Sequence, residues 1–192
     1  MESTGYFLGV DGGQSATTAL IGDETGRIVA FGSGGPCNHV GAEGGREKFI
    51  HAIRESLSSA GIPAERARFR AACLGFSGGP ADKEAILGEI LAVDALVTTT
   101  DYAIALSGAT AGAPGIITIA GTGSIAFGRN ADGRTARAGG WGYVFGDEGG
   151  GFDIVRQALR AALRSEEGWG PPTALLERLL AEAGAPSANE LV

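Results

Sequence analysis

The chain has 192 residues, 44% of them hydrophobic and 19% charged, which is enough to bury a sizeable core in one large domain or one and a fraction, and too apolar for a disordered chain. Fifteen Lys and Arg against 22 Asp and Glu give a formal net charge of −7, with no basic run able to neutralise a line of phosphates, so no nucleic-acid partner is expected. The 34 glycines cluster without a G-X-Y period, which excludes collagen and points to special backbone turns.

Tyr6 to Val10 reads as a buried strand, Asp11 to Ser15 as a tight turn and Ala16 to Ile21 as the returning strand. A second turn, Asp23 to Gly26, leads to a strand over Arg27 to Gly32, so the chain opens on an antiparallel meander. Phe49, Ile53 and Leu57 recur every four residues and mark an amphipathic helix that stops near Gly61-Ile62-Pro63. A strand over Phe69 to Phe76, a helix over Asp82 to Leu91 and a strand over Ala95 to Thr100 follow, which predicts an α/β fold with a mixed five-stranded sheet flanked by helices. A second unit is expected from Asp101, giving domains 1–100 and 101–192. It holds a helix over Asp101 to Ala109, strands over Gly115 to Ala120 and Ile125 to Arg129, and a glycine-rich stretch from Gly139 to Gly151. Phe152, Val155, Leu159 and Leu163 then form a helical stripe, Pro171-Pro172-Thr173 opens a helix through about Ala183, and Ser187 to Val192 reads as the start of another.

Two glycine turns between apolar strands carry the chemistry. Asp11-Gly12-Gly13-Gln14-Ser15 sets an acid at a strand end, two glycines that admit a ligand close to the backbone, and a hydroxyl; such a turn is either a plain hairpin or a nest of N–H groups for an anion. Gly121-Thr122-Gly123-Ser124 has the same chemistry, and two such turns in one chain favour a nucleotide polyphosphate. Lys48 and Lys83 each follow an acid rather than a glycine, so no GxxxxGK[ST] loop exists and any phosphate site must use backbone. Asp11 is suited to hold magnesium through water, as a hard oxygen ligand. Cys37 and Cys73 are isolated, and His39 and His51 offer no second ligand pair, so neither a disulfide framework nor zinc is suggested. No leader or long apolar run stands out, which gives the expectation of a cytoplasmic protein without a membrane partner.

V-D-G-G-Q-S near the start, T-T-T-D-Y-A-I-A-L in the middle, I-A-G-T-G-S-I-A, and G-G-W-G-Y-V-F-G-D-E-G-G-G occur in that order and resemble the N-acetylglucosamine kinase family, which belongs with the BadF/BadG/BcrA/BcrD-type ATPases in the superfamily of actin, hexokinase and heat-shock ATPases. The resemblance covers nearly the whole chain, and the last motif is its most specific part. It implies a duplicated ribonuclease-H-like fold, ATP with Mg²⁺ as cofactors, and phosphoryl transfer to the 6-hydroxyl of an amino sugar, N-acetylglucosamine or glucosamine. By this resemblance Asp101 is the catalytic base, Gly12, Gly13, Gln14, Ser15, Gly121, Thr122 and Gly123 hold phosphate, and Asn38, Ser77, Gly140, Trp141 and Asp147 contact the sugar. The family's first turn usually reads GGGT followed by a basic residue; here Ser15 replaces the threonine and Ala16 leaves the basic contact missing. The family's adenosine-binding motif is expected beyond Val192, so the chain reads as a complete first lobe with an unfinished second one and weak affinity for ATP. Two other functions stay open: an activator or switch ATPase, which needs clustered cysteines for an iron–sulfur centre, and a sugar- or nucleotide-binding module without turnover. The expected partner is the amino sugar, and a homodimer is an open assembly.

Overall fold

Apolar alternation builds the first sheet. Leu8 and Val10, Ala19 and Ile21, and Ala72, Leu74 and Phe76 are all buried and occupy every second position of three neighbouring strands, which gives the sheet one fully covered face. The computed structural model describes residues 5–37, 41, 43–64 and 67–191. Its strands in this part are β1 (Tyr6–Gly12), β2 (Thr17–Gly22), β3 (Ile28–Gly34), β4 (Arg68–Phe76) and β5 (Ala92–Thr100), in the spatial order β3-β2-β1-β4-β5. β2 runs antiparallel to β1 and β3, whereas β4 lies parallel to β1 and β5, so the sheet is mixed.

The covered face packs on α1 (Gly45–Ser59) and α2 (Lys83–Ile90). Phe49, Ile53 and Leu57 present the four-residue stripe read from the sequence and are each fully buried. α1 can lie against β3 because Gly32 and Gly34 have no side chain; a Cβ on either would overlap the α1 backbone at Ser56 or Ala52. On the other face α3 (Asp101–Thr110) approaches β4, where the bare α-carbon of Gly75 receives Ile104.

The chain divides into two compact units, Met1–Ala113 and Pro114–Val192. The second holds an antiparallel sheet of β6 (Gly115–Ala120), β7 (Ser124–Arg129) and β8 (Thr135–Gly139) in that order, with α4 (Gly151–Glu166) packed against α5 (Leu175–Ala183). β8 carries no apolar alternation, and Thr135 to Ala138 are all exposed, which is why the sequence does not announce it. α5 begins at Leu175, beyond the two prolines, and Thr173 Oγ1 accepts a hydrogen bond from its first amide. The tail holds a single 3-10 turn, Ala188–Glu190, where another helix start was expected. No helix among the described residues is long and apolar enough to cross a membrane.

Candidate active site

β1 continues through Asp11 and Gly12, two residues past the predicted end, because it has partners on both sides: Asp11 pairs with Thr18 and Gly75, and Gly12 with Thr17 and Phe76. The hairpin turn is therefore short, closed by Gly13 N donating to Ala16 O at 2.9 Å. Neither Gly12 nor Gly13 has a positive φ. Gly12 lacks a side chain for a packing reason: a Cβ there would overlap the Phe76 ring and the Cys37 sulfur. Gln14 and Ser15 stand exposed at the tip. The turn also organises its neighbours, since Gly12 O accepts from Ser77 N at 3.0 Å and Gly13 O accepts from Cys37 N at 3.3 Å. Asn38, which follows Cys37, lies outside the described residues.

Asp101 is the first residue of α3, and the preceding Thr100, in extended conformation, is its N-cap. Asp101 Oδ1 accepts from Tyr102 N at 2.8 Å. Gly75 admits α3 close to β4, and this brings Asp101 to the same end of the sheet as Asp11. The Asp11 carboxyl is pushed above the usual carboxylate range, first by burial and then by the negative charge of Asp101. A carboxyl raised by a neighbouring acid marks a place where a hard cation or a transferred proton is welcome. A groove of about 560 Å³ opens beside them, with Asp11, Thr18, Thr99, Ile104 and Ser107 in its walls.

In the second unit the Gly121–Ser124 turn joins β6 to β7 and is welded to the glycine-rich loop ahead of α4. Gly151 N donates to Gly121 O at 2.8 Å, Phe152 N to Thr122 O at 3.2 Å, and Ser124 Oγ to Glu148 O at 2.7 Å. The first amides of α4 are thus already satisfied by the turn's carbonyls. The Asp147 carboxylate lies over Gly123, in space that a Cβ would take, and Asp147 itself holds φ 64°, a left-handed conformation uncommon outside glycine. Asp153, buried on α4, accepts from Gly149 N at 3.0 Å, Arg156 Nη2 at 2.6 Å and Gln157 Nε2 at 2.6 Å, and these hydrogen bonds hold its carboxyl below the usual range. Gly140 N donates to Ser124 O, so the loop is fastened at that end as well. Gly139, Gly140 and Gly142 all take left-handed φ, and Trp141 between them is 66% exposed, with the Arg137 guanidinium 4.8 Å over its ring.

The structure thus gathers Asp11, Gly12, Gly13, Ser77 and Asp101 in the first unit, and Gly121, Thr122, Gly123, Gly140, Trp141 and Asp147 around one turn and loop in the second. Sequence reasoning did not single out Arg137 or Asp153. The signal for Arg137 was a basic residue on an exposed strand four positions before a tryptophan, and Asp153 is an i, i+3 and i, i+4 partner of Arg156 and Gln157. Among the described residues there is no group of three or more His, Cys, Asp or Glu that could hold a metal ion.

A mixed five-stranded sheet ordered β3-β2-β1-β4-β5, an acid at the end of its first strand and a second glycine turn in a following sheet define the fold of the actin-like ATPases. The solved structure of a candidate N-acetylglucosamine kinase from Chromobacterium violaceum superimposes with a TM-score of 0.77 at 29% identity, covering 98% of this chain and 67% of that one. The chain belongs to the BadF/BadG/BcrA/BcrD ATPase family, whose pattern matches residues 8–180. It is 35% identical over 177 residues to an N-acetylmuramic acid/N-acetylglucosamine kinase from Clostridium acetobutylicum, covering 88% of this chain and 57% of that protein. To an N-acetyl-D-glucosamine kinase from Dictyostelium discoideum it is 29% identical over 203 residues, covering 97% of this chain and 63% of that protein.

Proposed function

We propose that this protein acts as an ATP-dependent kinase of an N-acetylated amino sugar, N-acetylglucosamine or its lactyl ether N-acetylmuramic acid, with glucosamine a weaker acceptor and the 6-hydroxyl as the position phosphorylated. The observation that carries the reading is the placement of Asp11 and Asp101 at one end of the first sheet, where burial and the Asp101 charge hold the Asp11 carboxyl above its usual range. The sugar hydroxyl loses its proton to Asp101 as its oxygen bonds to the γ-phosphorus, while the bond from that phosphorus to the bridging oxygen breaks and ADP departs. Asp11 is the residue that would hold Mg²⁺, through water, and the ion would supply neutralisation of phosphate charge. Gly12, Gly13, Gln14 and Ser15 are assigned to phosphate in the first unit, and Gly121, Thr122 and Gly123 in the second. Asn38, Ser77, Gly140, Trp141 and Asp147 are assigned to the sugar; an exposed indole among left-handed glycines suits the apolar face of a pyranose.

The relatives named as kinases support this reading, and the chain spans 57% and 63% of their lengths. A switch ATPase built on an iron–sulfur centre is less well supported, since Cys37 is buried beside Gly12 and Cys73 is exposed on β4. With both thiols free, a cytoplasmic setting fits the same reading. The test is ATP consumption and calorimetric sugar binding with N-acetylglucosamine, N-acetylmuramic acid and glucosamine. Sugar-dependent turnover, or sugar binding that ranks the N-acetylated sugars first, is the expected result. ATP consumption indifferent to sugar, together with no sugar binding, overturns the proposal.

A further inference from the structure

Lys83 is one of two lysines in the chain, and no phosphate-loop motif accounts for it. It is 4% exposed at the start of α2, and its Nζ donates to Gly79 O at 2.7 Å and lies 5.5 Å from the centroid of the fully buried Phe76 ring. Its partners among the described residues are a backbone carbonyl and a ring face rather than a carboxylate. Burial disfavours its charged form, and the Cys37 thiol and the Asp82 carboxylate offset this only in part. An ammonium kept in such a place is costly, and an aliphatic side chain would fill the same volume more cheaply. What the ammonium adds is a fastening on the loop between β4 and α2. Asp82 in that loop holds a left-handed φ of 65°, uncommon outside glycine, and Gly78 and Gly79, at 78° and 89°, restrict the backbone least, so a fastening there has work to do.

The loop is pinned at two points. Ser77 N donates to Gly12 O in the first glycine turn, and Lys83 holds Gly79 O from behind. Phe76 and Cys37, the two side chains against the bare α-carbon of Gly12, are also the ring under the lysine and the thiol beside it. A shift of the lysine is therefore felt at Ser77 and at the turn together. We infer that Lys83 is a positioning residue of the acceptor site: its buried ammonium fixes the loop after β4 so that Ser77 meets the amino sugar. This rests on the sugar-kinase reading and deepens it.

Lys83→Met keeps the stem and removes the donor and the charge, while Lys83→Arg restores both. N-acetylglucosamine binding to the 192-residue chain is measured by calorimetry, with melting temperature as the check on folding. K83M is expected to weaken sugar binding about tenfold, as misplacement of a contact by a fraction of an ångström does, and K83R to return to within about threefold of the parent. A folded K83M with parental sugar affinity overturns the inference, as does K83R no better than K83M. If K83M does not fold, Lys83→Leu, which likewise removes the donor and the charge, carries the same test, and parental affinity in it overturns the inference equally. A parent that binds no amino sugar sinks the kinase reading and this inference together, whereas a parent that binds and a variant that binds as well sinks only the inference.

Discussion

The carboxylate of Asp147 occupies the space above Gly123 that a side chain would need. The loop assigned to the sugar and the turn assigned to phosphate are consequently one packed object, joined also by Ser124 Oγ and the amides of Gly151 and Phe152.

Gly123→Ala must displace Asp147, because Gly123 has no left-handed φ and the new methyl meets the carboxylate rather than a backbone limit. Overpacking of this kind costs about 1–3 kcal/mol. Sugar affinity is expected to fall with it. A double-mutant cycle checks the cause: in an Asp147→Ala background Gly123→Ala should cost much less, and additive losses would show that the crowding lies elsewhere.

Asp101 sits at the first position of α3, with Thr100 as the cap, so its carboxylate is not the group that begins the helix. Asp101→Asn keeps an oxygen for the Tyr102 amide and removes the base. Turnover is expected to drop by roughly 10² or more with melting temperature and sugar affinity little changed. Near-parental turnover would reduce Asp101 to a structural residue.

Asp11 has the opposite relation to stability. An acid whose folded pKa is raised contributes stability that is complete below its ordinary range, about 3.9, and is lost as pH rises through the folded value. At neutral pH the charged carboxylate therefore opposes folding. Asp11→Asn is expected to melt above the parent at pH 7, with the difference closing toward pH 4, while magnesium-dependent turnover falls by about 10² or more. A variant that melts below the parent at pH 7 would mean that the carboxylate is held by a favourable contact instead.

How much of this was legible follows from where each cause lies in the chain. Phe49, Ile53 and Leu57 announce α1 because the helix period is local, and Leu8, Val10, Leu74 and Phe76 announce their strands in the same way. β8 was not legible, since exposed Thr135 to Ala138 alternate with nothing. Gly12 was legible as a glycine at a turn but not for its reason, which is the Phe76 ring and the Cys37 sulfur brought from distant strands and loops. Lys83 shows in the sequence only as a lysine outside any phosphate-loop motif, and its place over Phe76 comes from the fold. The Asp11–Asp101 pair spans most of the first unit, and no spacing rule connects residues held together by parallel pairing through β4.

Asp153 supplies the last prediction, because it fastens the loop from inside the helix. It is buried, and its two oxygens take Gly149 N, Arg156 and Gln157, while Arg156 also reaches Tyr143 O at 3.2 Å. One carboxylate thus ties the turn at Gly149 to α4 and, through the guanidinium, to the stretch after Trp141. Its pKa is lowered first by the Gly149 amide and then by Arg156 and Gln157, so its contribution to stability is present above the ordinary carboxylate range and lost as pH falls through the lowered folded value. Asp153→Asn keeps an acceptor for Gly149 and discards the charge opposite Arg156, whose Nε is already buried without a partner among the described residues. The variant is expected to melt roughly 5 °C or more below the parent at pH 7, and the gap should narrow as pH falls below about 4, where the carboxylate of the unfolded chain begins to protonate while the folded one stays charged to lower pH. Sugar affinity should weaken alongside, since the loop carrying Trp141 and Asp147 loses its internal tie. A melting difference that stays constant from pH 7 down to pH 2 would show that the charge of Asp153 is not what holds the loop.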